Sequence, residues 1–96
     1  MEEPMAIVVK YEVTGMSSAK YDGIMRDLAL AGLAHPDGRA YHVCFGDRDR
    51  LQVVDVFESP AKLEAFGAKL MPILQKYDVN ARPEVLGESH NAVVGA

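Results

Sequence analysis

Apolar and polar residues alternate from Met5 to Val13, near the start of the chain. Alternation with a period of two is typical of a β-strand that buries one face and leaves the other outside the core. Ile7, Val9 and Tyr11 share the apolar side of this pattern. The stretch therefore predicts a first strand whose apolar face packs beneath a layer of helices.

A different spacing follows, in which apolar residues recur every three or four positions, at Tyr21, Ile24, Met25, Leu28 and Ala31. This spacing predicts an amphipathic helix. Ser17 or Ser18 can cap its start, because a serine side chain accepts a hydrogen bond from a free N–H of the first turn. We expect the helix to end near Ala31, with Gly32 in the left-handed conformation and Leu33 folded back over the last turn.

A second helix is predicted from Pro60, because Ser59 is a suitable N-cap and proline is tolerated at the first helical position. Its apolar face is formed by Leu63, Phe66, Leu70, Ile73 or Leu74, and Tyr77. Pro72 lies inside this pattern and removes one backbone N–H from the helix. We therefore expect a kink near Leu70, or a break there into a short second segment.

Between the two helices, Ala40 to Phe45 and Leu51 to Phe57 are short runs rich in β-branched and aromatic residues. The four residues 46–49, Gly-Asp-Arg-Asp, favour a tight turn, so the pattern predicts a β-hairpin. The turn sets the pairing, with Cys44 opposite Leu51, His42 opposite Val53 and Ala40 opposite Asp55. His42 and Asp55 are then diagonal neighbours on one face of the sheet.

The last predicted strand runs from Val85 to Val94, and Gly87 can form a bulge within it. The element order is therefore β-α-β-β-α-β, which is the order of the ferredoxin-like fold. We expect an α+β protein in which two helices cover one face of a four-stranded antiparallel sheet. At 96 residues, with no repeat and no linker, the chain is expected to form a single domain spanning residues 1–96.

The second strand of the hairpin is apolar on both sides. Leu51, Val53 and Phe57 face one way, whereas Val54 and Val56 face the other. Two helices cover only one face of such a sheet, so the other face would expose a contiguous apolar patch. We therefore predict a homodimer in which two sheets pack face to face.

The net charge of −4 and the isoelectric point near 5.2 disfavour nucleic acid and anionic membrane surfaces as partners, because both attract clustered Lys and Arg. The sequence has no apolar run of membrane-spanning length and no basic and apolar leader, so we expect a cytoplasmic protein that does not enter a membrane. Its single cysteine, Cys44, is compatible with a reducing compartment.

Three stretches carry a family resemblance: VVDVFESPAKLEAF at residues 53–66, the Leu-Met-Pro at residues 70–72, and the late pair His90-Asn91. With the short length and the element order, they resemble the dimeric α/β-barrel superfamily, in particular antibiotic-biosynthesis monooxygenase-like domains. The resemblance implies paired sheets and a cavity in each subunit for a small apolar or aromatic ligand. It also implies activities such as cofactor-independent oxidation of polyketide-like aromatics, haem degradation, or conversion of small lactones and chlorinated aromatics.

His42 and Asp55 are the catalytic candidates. Histidine changes its protonation near neutral pH, and a neighbouring carboxylate can hold one ring nitrogen while the other takes a proton from a phenol or enol. The same pair would also suit a purely structural role, because buried ionisable groups need partners. The two interpretations differ in whether a pocket opens beside His42.

Four further residues are candidates for substrate binding. His90 shares the parity of Leu86 in the predicted last strand, so its ring would enter the same apolar environment, and Asn91 follows it. Tyr11 and Tyr41 can each offer a phenol to a ligand oxygen, although buried tyrosines more often bind backbone carbonyls.

Cofactor motifs are missing from the sequence: it has no dinucleotide fingerprint, phosphate loop, paired-cysteine metal motif or HExxH. His42, His90 and Asp55 would be the ligand types of a two-histidine, one-carboxylate site, but their linear spacing does not support one. We therefore predict neither a metal nor a cofactor. Two functions remain open: a cofactor-independent monooxygenase or isomerase-like enzyme, and a non-catalytic dimer that binds a hydrophobic ligand or serves a structural role.

Overall fold

The computed structural model describes residues 6–91. The elements in chain order are β1 (Ile7–Thr14), α1 (Ser18–Leu30), β2 (Arg39–Asp47), β3 (Arg50–Phe57), α2 (Pro60–Lys76) and β4 (Asn80–Glu88). The strands form one antiparallel sheet in the order β2-β3-β1-β4, and the helices cover one of its faces. The predicted ferredoxin-like α+β fold is confirmed. Within residues 6–91, neither helix has the length and apolar character needed to cross a membrane.

Both ends of α1 follow the sequence signals. The Ser17 hydroxyl accepts a hydrogen bond from the Lys20 N–H at 3.2 Å. At the other end Gly32 has a φ of +76°, and the Leu33 N–H donates to the Leu28 carbonyl at 2.7 Å. This bond spans the six-residue loop of a glycine-terminated helix, so the predicted helix end is confirmed.

Helix α2 begins as predicted, with the Ser59 hydroxyl accepting from the Lys62 N–H and proline at the first helical position. It then runs unbroken through Pro72, so the predicted break is wrong. The proline removes one intrahelical hydrogen bond, whereas Phe66 before it and Leu74 after it are both buried. Burial of the same apolar face on both sides of the proline keeps the two halves in one helix.

The two helices approach each other closely at Gly23. A Cβ atom at that position would lie 2.6 Å from the Tyr77 ring, so only glycine leaves room for the ring. The Tyr77 hydroxyl and the Lys76 ammonium both donate to the Asp27 carboxylate, at 3.0 and 2.8 Å. Helix α1 is thereby tied to the end of α2.

The last strand lies earlier than predicted. Strand β4 spans Asn80–Glu88 instead of Val85–Val94, and residues 92–94 of the predicted strand lie outside the described residues, as does Met5 of the first. Pro83 is accommodated because β4 is an edge strand, where a missing N–H can face solvent. The strand ends at Glu88 because its partner β1 begins at Ile7. A register shift between Val8 and Val9, opposite residues 85–87, places the predicted bulge next to Gly87.

The hairpin register is two residues away from the prediction. Asp47 pairs with Arg50 around a two-residue turn, and His42 lies directly opposite Asp55 rather than diagonal to it. Because side chains alternate with a period of two, a shift of two residues leaves the side chains from Tyr41 onward on their predicted faces. The pairing shifts between Arg39 and Tyr41, so the alternation is interrupted at that point. The shared face of His42 and Asp55 is therefore confirmed, and their separation is shorter than the predicted pairing implied.

The two faces of the sheet differ sharply in burial. The covered face and the helices form one core, made of Ile7, Val9, Tyr11, Met16, Ile24, Leu28, Val53, Phe57, Leu63, Phe66, Leu74, Val79 and Ala81. On the opposite face, which we call the open face, Val43 and Phe45 are 54% and 44% exposed in the single chain. The predicted contiguous apolar surface is therefore present.

Candidate functional site

The candidate site begins with one row of residues across the covered face of the sheet. His42 on β2 lies opposite Asp55 on β3, which in turn lies opposite Val9 on β1. Asp55 is only 2% exposed, the one buried charged residue among residues 6–91, whereas the His42 side chain keeps 20% of its surface exposed. A buried carboxylate is costly without a partner, so the histidine opposite it has a clear energetic role.

The imidazole of His42 is held at both nitrogens. Its Nδ1 lies 2.6 Å from Asp55 Oδ1, and its Nε2 lies 2.7 Å from the Tyr21 hydroxyl. An ionised carboxylate only accepts hydrogen bonds, so Nδ1 carries the proton. In the neutral ring Nε2 is then the acceptor, and the Tyr21 O–H donates to it. The result is a chain of three groups, Asp55–His42–Tyr21, which we call the relay.

Ring geometry agrees with this hydrogen bond. The Tyr21 and His42 rings are parallel to within 2°, with centroids 6.1 Å apart. That separation is too long for face-to-face stacking and suits two rings joined edge to edge through an O–H···N bond. Burial, more than the nearby charges, raises the pKa of Tyr21 to about 12, so its phenol is protonated at neutral pH.

The local fold explains how a helix residue reaches the hairpin. The Ser18 N–H, one of the free donors at the start of α1, donates to the Arg48 carbonyl in the hairpin turn at 2.6 Å. The Leu51 N–H donates to the Met16 carbonyl at 2.9 Å. These two bonds fasten the hairpin to residues 16–18 at the start of α1, and Tyr21 lies about one turn further along, within hydrogen-bond distance of His42.

The relay lines an apolar cavity between the helices and the sheet. The cavity has a volume of about 40 Å³, and its wall consists of Tyr11, Val13, Met16, Tyr21, Ile24, Met25, Leu28, Arg39, His42, Val53, Asp55, Phe66, Leu70, Leu74 and Ala81. A water molecule needs at least about 10 Å³ of such space, so the cavity admits a few waters or one small group. The guanidinium of Arg39 lies over the Phe66 ring at 5.7 Å and donates to the Ala34 carbonyl.

Tyr11 contributes an unusual hydroxyl to this cavity. The residue is 6% exposed, and its Oη is buried with no hydrogen-bond partner among the described residues. Burial raises its pKa above the ordinary tyrosine value, and the negative charge of Asp55 adds to the effect. The phenol therefore stays protonated and is a free donor, which is uncommon for a buried polar group.

The other predicted site residues lie elsewhere. Tyr41 lies on the open face, opposite Val56, and is 38% exposed in the single chain. His90 and Asn91 follow the end of β4 and are exposed, so the parity argument that placed the His90 ring in an apolar environment no longer applies. These three roles stay predictions. Cys44 is partly buried on the covered face and packs against the core, as a small apolar residue would.

A metal site is not assembled from the candidates. In the part of the chain that the structure describes, no three His, Cys, Asp or Glu side chains come together as ligands for an ion. His42 and Asp55 are in contact, but the third group bound to them is the phenol of Tyr21. His90 lies beyond the end of β4.

Sequence reasoning missed Tyr21 as a site residue. Its position fits the apolar face of α1, and the helical spacing alone predicts that a tyrosine there is one more core residue. The available signal was chemical: a phenol placed among aliphatic residues on a buried helix face needs a partner. The sequence predicted that His42 and Asp55 share one face of the sheet but left open whether the helices cover that face, so it did not indicate them as partners for Tyr21.

No protein-family model and no curated protein matches the chain. Among solved structures, it is similar to SnoaB, a cofactor-independent oxygenase from Streptomyces nogalater, with a TM-score of 0.58 and 15% identity over 94% of this chain and 97% of that one. It is also similar to a protein of unknown function from Nitrosomonas europaea, with a TM-score of 0.60 and 19% identity over 98% of this chain and 96% of that one. The expected structural resemblance is confirmed, and at this identity it concerns the fold.

Proposed function

We propose that this protein is a homodimeric enzyme that removes a proton from a small aromatic or polyketide-like compound and oxidises it with molecular oxygen, without a bound cofactor. The observation that carries the proposal is the Asp55–His42–Tyr21 relay opening on an apolar cavity. A carboxylate, an imidazole and a phenol in series are the parts of a general acid–base system. The description of SnoaB as a cofactor-independent oxygenase adds support by analogy of fold.

The relay gives the proton a defined route. Because Tyr21 occupies His42 Nε2, the substrate proton goes to the Tyr21 oxygen while the phenol proton moves to the imidazole. The imidazolium that forms is paired with the buried Asp55 carboxylate, which favours its charge. Tyr21 is therefore the group that touches the substrate, and Asp55 orients the base.

Oxygen then completes the reaction for a substrate that carries an acidic methylene between two aromatic rings. The carbanion left after proton removal transfers electrons to molecular oxygen. One oxygen atom forms a carbonyl at the methylene carbon, and the other leaves as water with the two former methylene hydrogens. An isomerase would share the first step and return the proton to a different atom.

The test is an oxygen electrode assay with anthrone, a neutral aromatic ketone with an acidic methylene. Wild-type protein should consume one molecule of oxygen for each anthraquinone formed. Tyr21→Phe and His42→Ala should each lower kcat by about 100-fold or more, the usual contribution of a general acid–base group. Tyr41→Phe is the matched control, because it removes a phenol from the open face.

Unchanged rates in Tyr21→Phe would remove the relay from the mechanism. A loss in Tyr41→Phe as large as that in Tyr21→Phe would move the site to the open face. Thermal unfolding of each variant separates lost chemistry from lost fold.

We also propose that a second copy of the chain covers the open face. Tyr41, Val43 and Phe45 on β2 and Val54 and Val56 on β3 lie side by side there. Lys10 and Glu84 pair across β1 and β4 at the same level of the sheet. An apolar patch bordered by charged residues is typical of a protein interface. A location in the cytoplasm remains a prediction.

The second candidate function is a non-catalytic dimer that binds a hydrophobic ligand or serves a structural role. The small volume of the cavity favours it, because about 40 Å³ leaves no room for an aromatic ring without movement of the surrounding side chains. In this alternative the relay only neutralises the buried Asp55. It predicts that His42→Ala lowers the free energy of unfolding and that no oxygen is consumed with any phenol or methylene compound.

A further inference from the structure

A second concave surface adjoins the relay cavity. It is a groove of about 380 Å³ between α2 and the edge of the sheet at β4, and its lining includes Tyr11, Glu64, Gly67, Leu70, Met71 and Val85. This volume lies in the range of ordinary small-molecule sites. Four residues, Tyr11, Leu70, Leu74 and Ala81, line both the groove and the cavity. The partition between the two spaces is therefore one side chain thick.

We infer that the groove and the cavity form one binding site for a neutral aromatic compound, with the Tyr11 hydroxyl donating a hydrogen bond to a carbonyl or hydroxyl oxygen of that compound. The orientation of the ligand rests on the proposed function, which requires the reacting end of the compound to point toward Tyr21. We assign the ligand body to the groove, because the relay cavity is too small to hold it.

Tyr11 is the observation that points to a ligand. Tyr11 lines both spaces, and its hydroxyl is buried with no partner among the described residues, an arrangement that costs free energy. A ligand oxygen placed next to this hydroxyl would satisfy the donor. Since the phenol is held in its protonated form, the complementary group is an acceptor.

The rest of the lining selects the ligand by charge and shape. Glu64 is the charged residue of the groove wall, and it disfavours a carboxylate ligand such as a fatty acid. Met71 and Val85 expose apolar surface at the groove, at 43% and 51%. These features favour a flat, apolar and uncharged body.

The partition also lies in the weakest part of its helix. Leu70 and Leu74 flank Pro72, which cannot donate a hydrogen bond to the Ala68 carbonyl. In the proposed complex, displacement of these two side chains would join the two spaces. Gly67 borders the groove on the preceding turn, and a Cβ atom built there meets nothing within 4 Å.

The experiment compares two uncharged probes, 2-acetylnaphthalene and 2-ethylnaphthalene, which share a ring system and differ in the carbonyl. Binding is followed by probe fluorescence, since the chain contains no tryptophan. Wild-type protein should bind the acetyl compound about tenfold more tightly, the size expected of one hydrogen bond. Tyr11→Phe should bind both probes equally, with the affinity of wild type for the ethyl compound.

A second pair of variants locates the ligand body. Gly67→Leu fills the groove and should lower the affinity for both probes at least about tenfold. Gly67→Ala, the matched control, should retain most of the affinity. Both replacements favour the helix, and Tyr11→Phe removes an unsatisfied hydroxyl, so all three variants should fold. Thermal unfolding checks this directly.

The inference would be overturned if wild type bound neither probe saturably, or bound both with equal affinity. It would also be overturned if the preference for the acetyl probe persisted in Tyr11→Phe, or if Gly67→Leu kept full affinity. Tighter binding of 2-naphthoate than of the acetyl compound would contradict the assignment of an uncharged ligand. A Tyr11-dependent preference without oxygen consumption supports the binding site and refutes the proposed reaction. Oxygen consumption without a Tyr11-dependent preference supports the proposed reaction and refutes the binding site.

Discussion

The two faces of the sheet come from the same strands but have opposite chemistry. Across one row of the covered face lie His42, Asp55 and Val9, whereas the adjacent row of the open face begins with Val43 and Val54. The covered face thus holds an ionisable pair in its core, and the open face holds apolar side chains in contact with water. Each arrangement is unfavourable in isolation, and each therefore indicates a partner.

The difference shows which partners are internal and which are external. On the covered face the helix layer supplies Tyr21 to His42, and within residues 6–91 the Tyr11 hydroxyl is the buried side-chain polar atom left without a partner. The helices do not cover the open face, and its apolar side chains remain exposed. In our proposal a ligand completes the first face and a second subunit completes the other.

The largest effect should come from removing a large side chain on the covered face. Phe57 is fully buried, so Phe57→Ala should lower the free energy of unfolding by about 3–5 kcal/mol. Phe45→Ala makes the same change on the open face and should cost less than about 1 kcal/mol in dilute protein. Urea denaturation of both variants measures the contrast, and equal losses would contradict the assignment of the two faces.

An intermediate effect is expected at the proposed dimer contact. Val43→Glu places a charge in the apolar patch, and the resulting desolvation cost should weaken self-association by about 100-fold. Ala65→Glu introduces the same charge on the exposed side of α2 and should leave association unchanged. Sedimentation equilibrium gives the mass of each variant. A wild-type mass of one chain at micromolar concentration would exclude the dimer itself.

The smallest effect concerns alkaline pH. Because burial raises the pKa of Tyr21 to about 12, the folded state keeps this proton while an unfolded tyrosine loses its own near the ordinary value of 10.0. The unfolded state therefore binds fewer protons between these values, and stability falls as pH rises through that window. Burial also raises the pKa of Tyr11, so its ionisation likewise lowers the stability of the folded state as pH rises.

We expect the urea midpoint to fall from pH 10 to pH 12 and the fall to be smaller in Tyr21→Phe. The tyrosinate absorbance of that variant should show one late-titrating tyrosine fewer than wild type, with Tyr11 remaining. If the urea midpoint falls as steeply with pH in Tyr21→Phe as in wild type, the ionisation of this phenol is not coupled to folding.

Much of the fold was predictable because local signals and side-chain alternation agreed. Ser17, Gly32, Ser59 and Pro60 delimit the helices as their capping chemistry requires. Register was less accessible, since a shift of two residues keeps the same faces and alternation cannot detect it. The bounds of β4 were missed because Pro83 disfavours a central strand and only the sheet order shows that β4 lies at an edge.

For the site, the sequence by itself determined that His42 and Asp55 share one face of a hairpin, because that depends only on the period of a strand. It also determined that the opposite face is apolar. The tertiary structure decided that the helices cover the face with the ionisable pair, that Tyr21 completes it, and that the Tyr11 hydroxyl is left without a partner. These features depend on contacts between residues distant in sequence, which the packing of α1 and α2 on the sheet alone brings together.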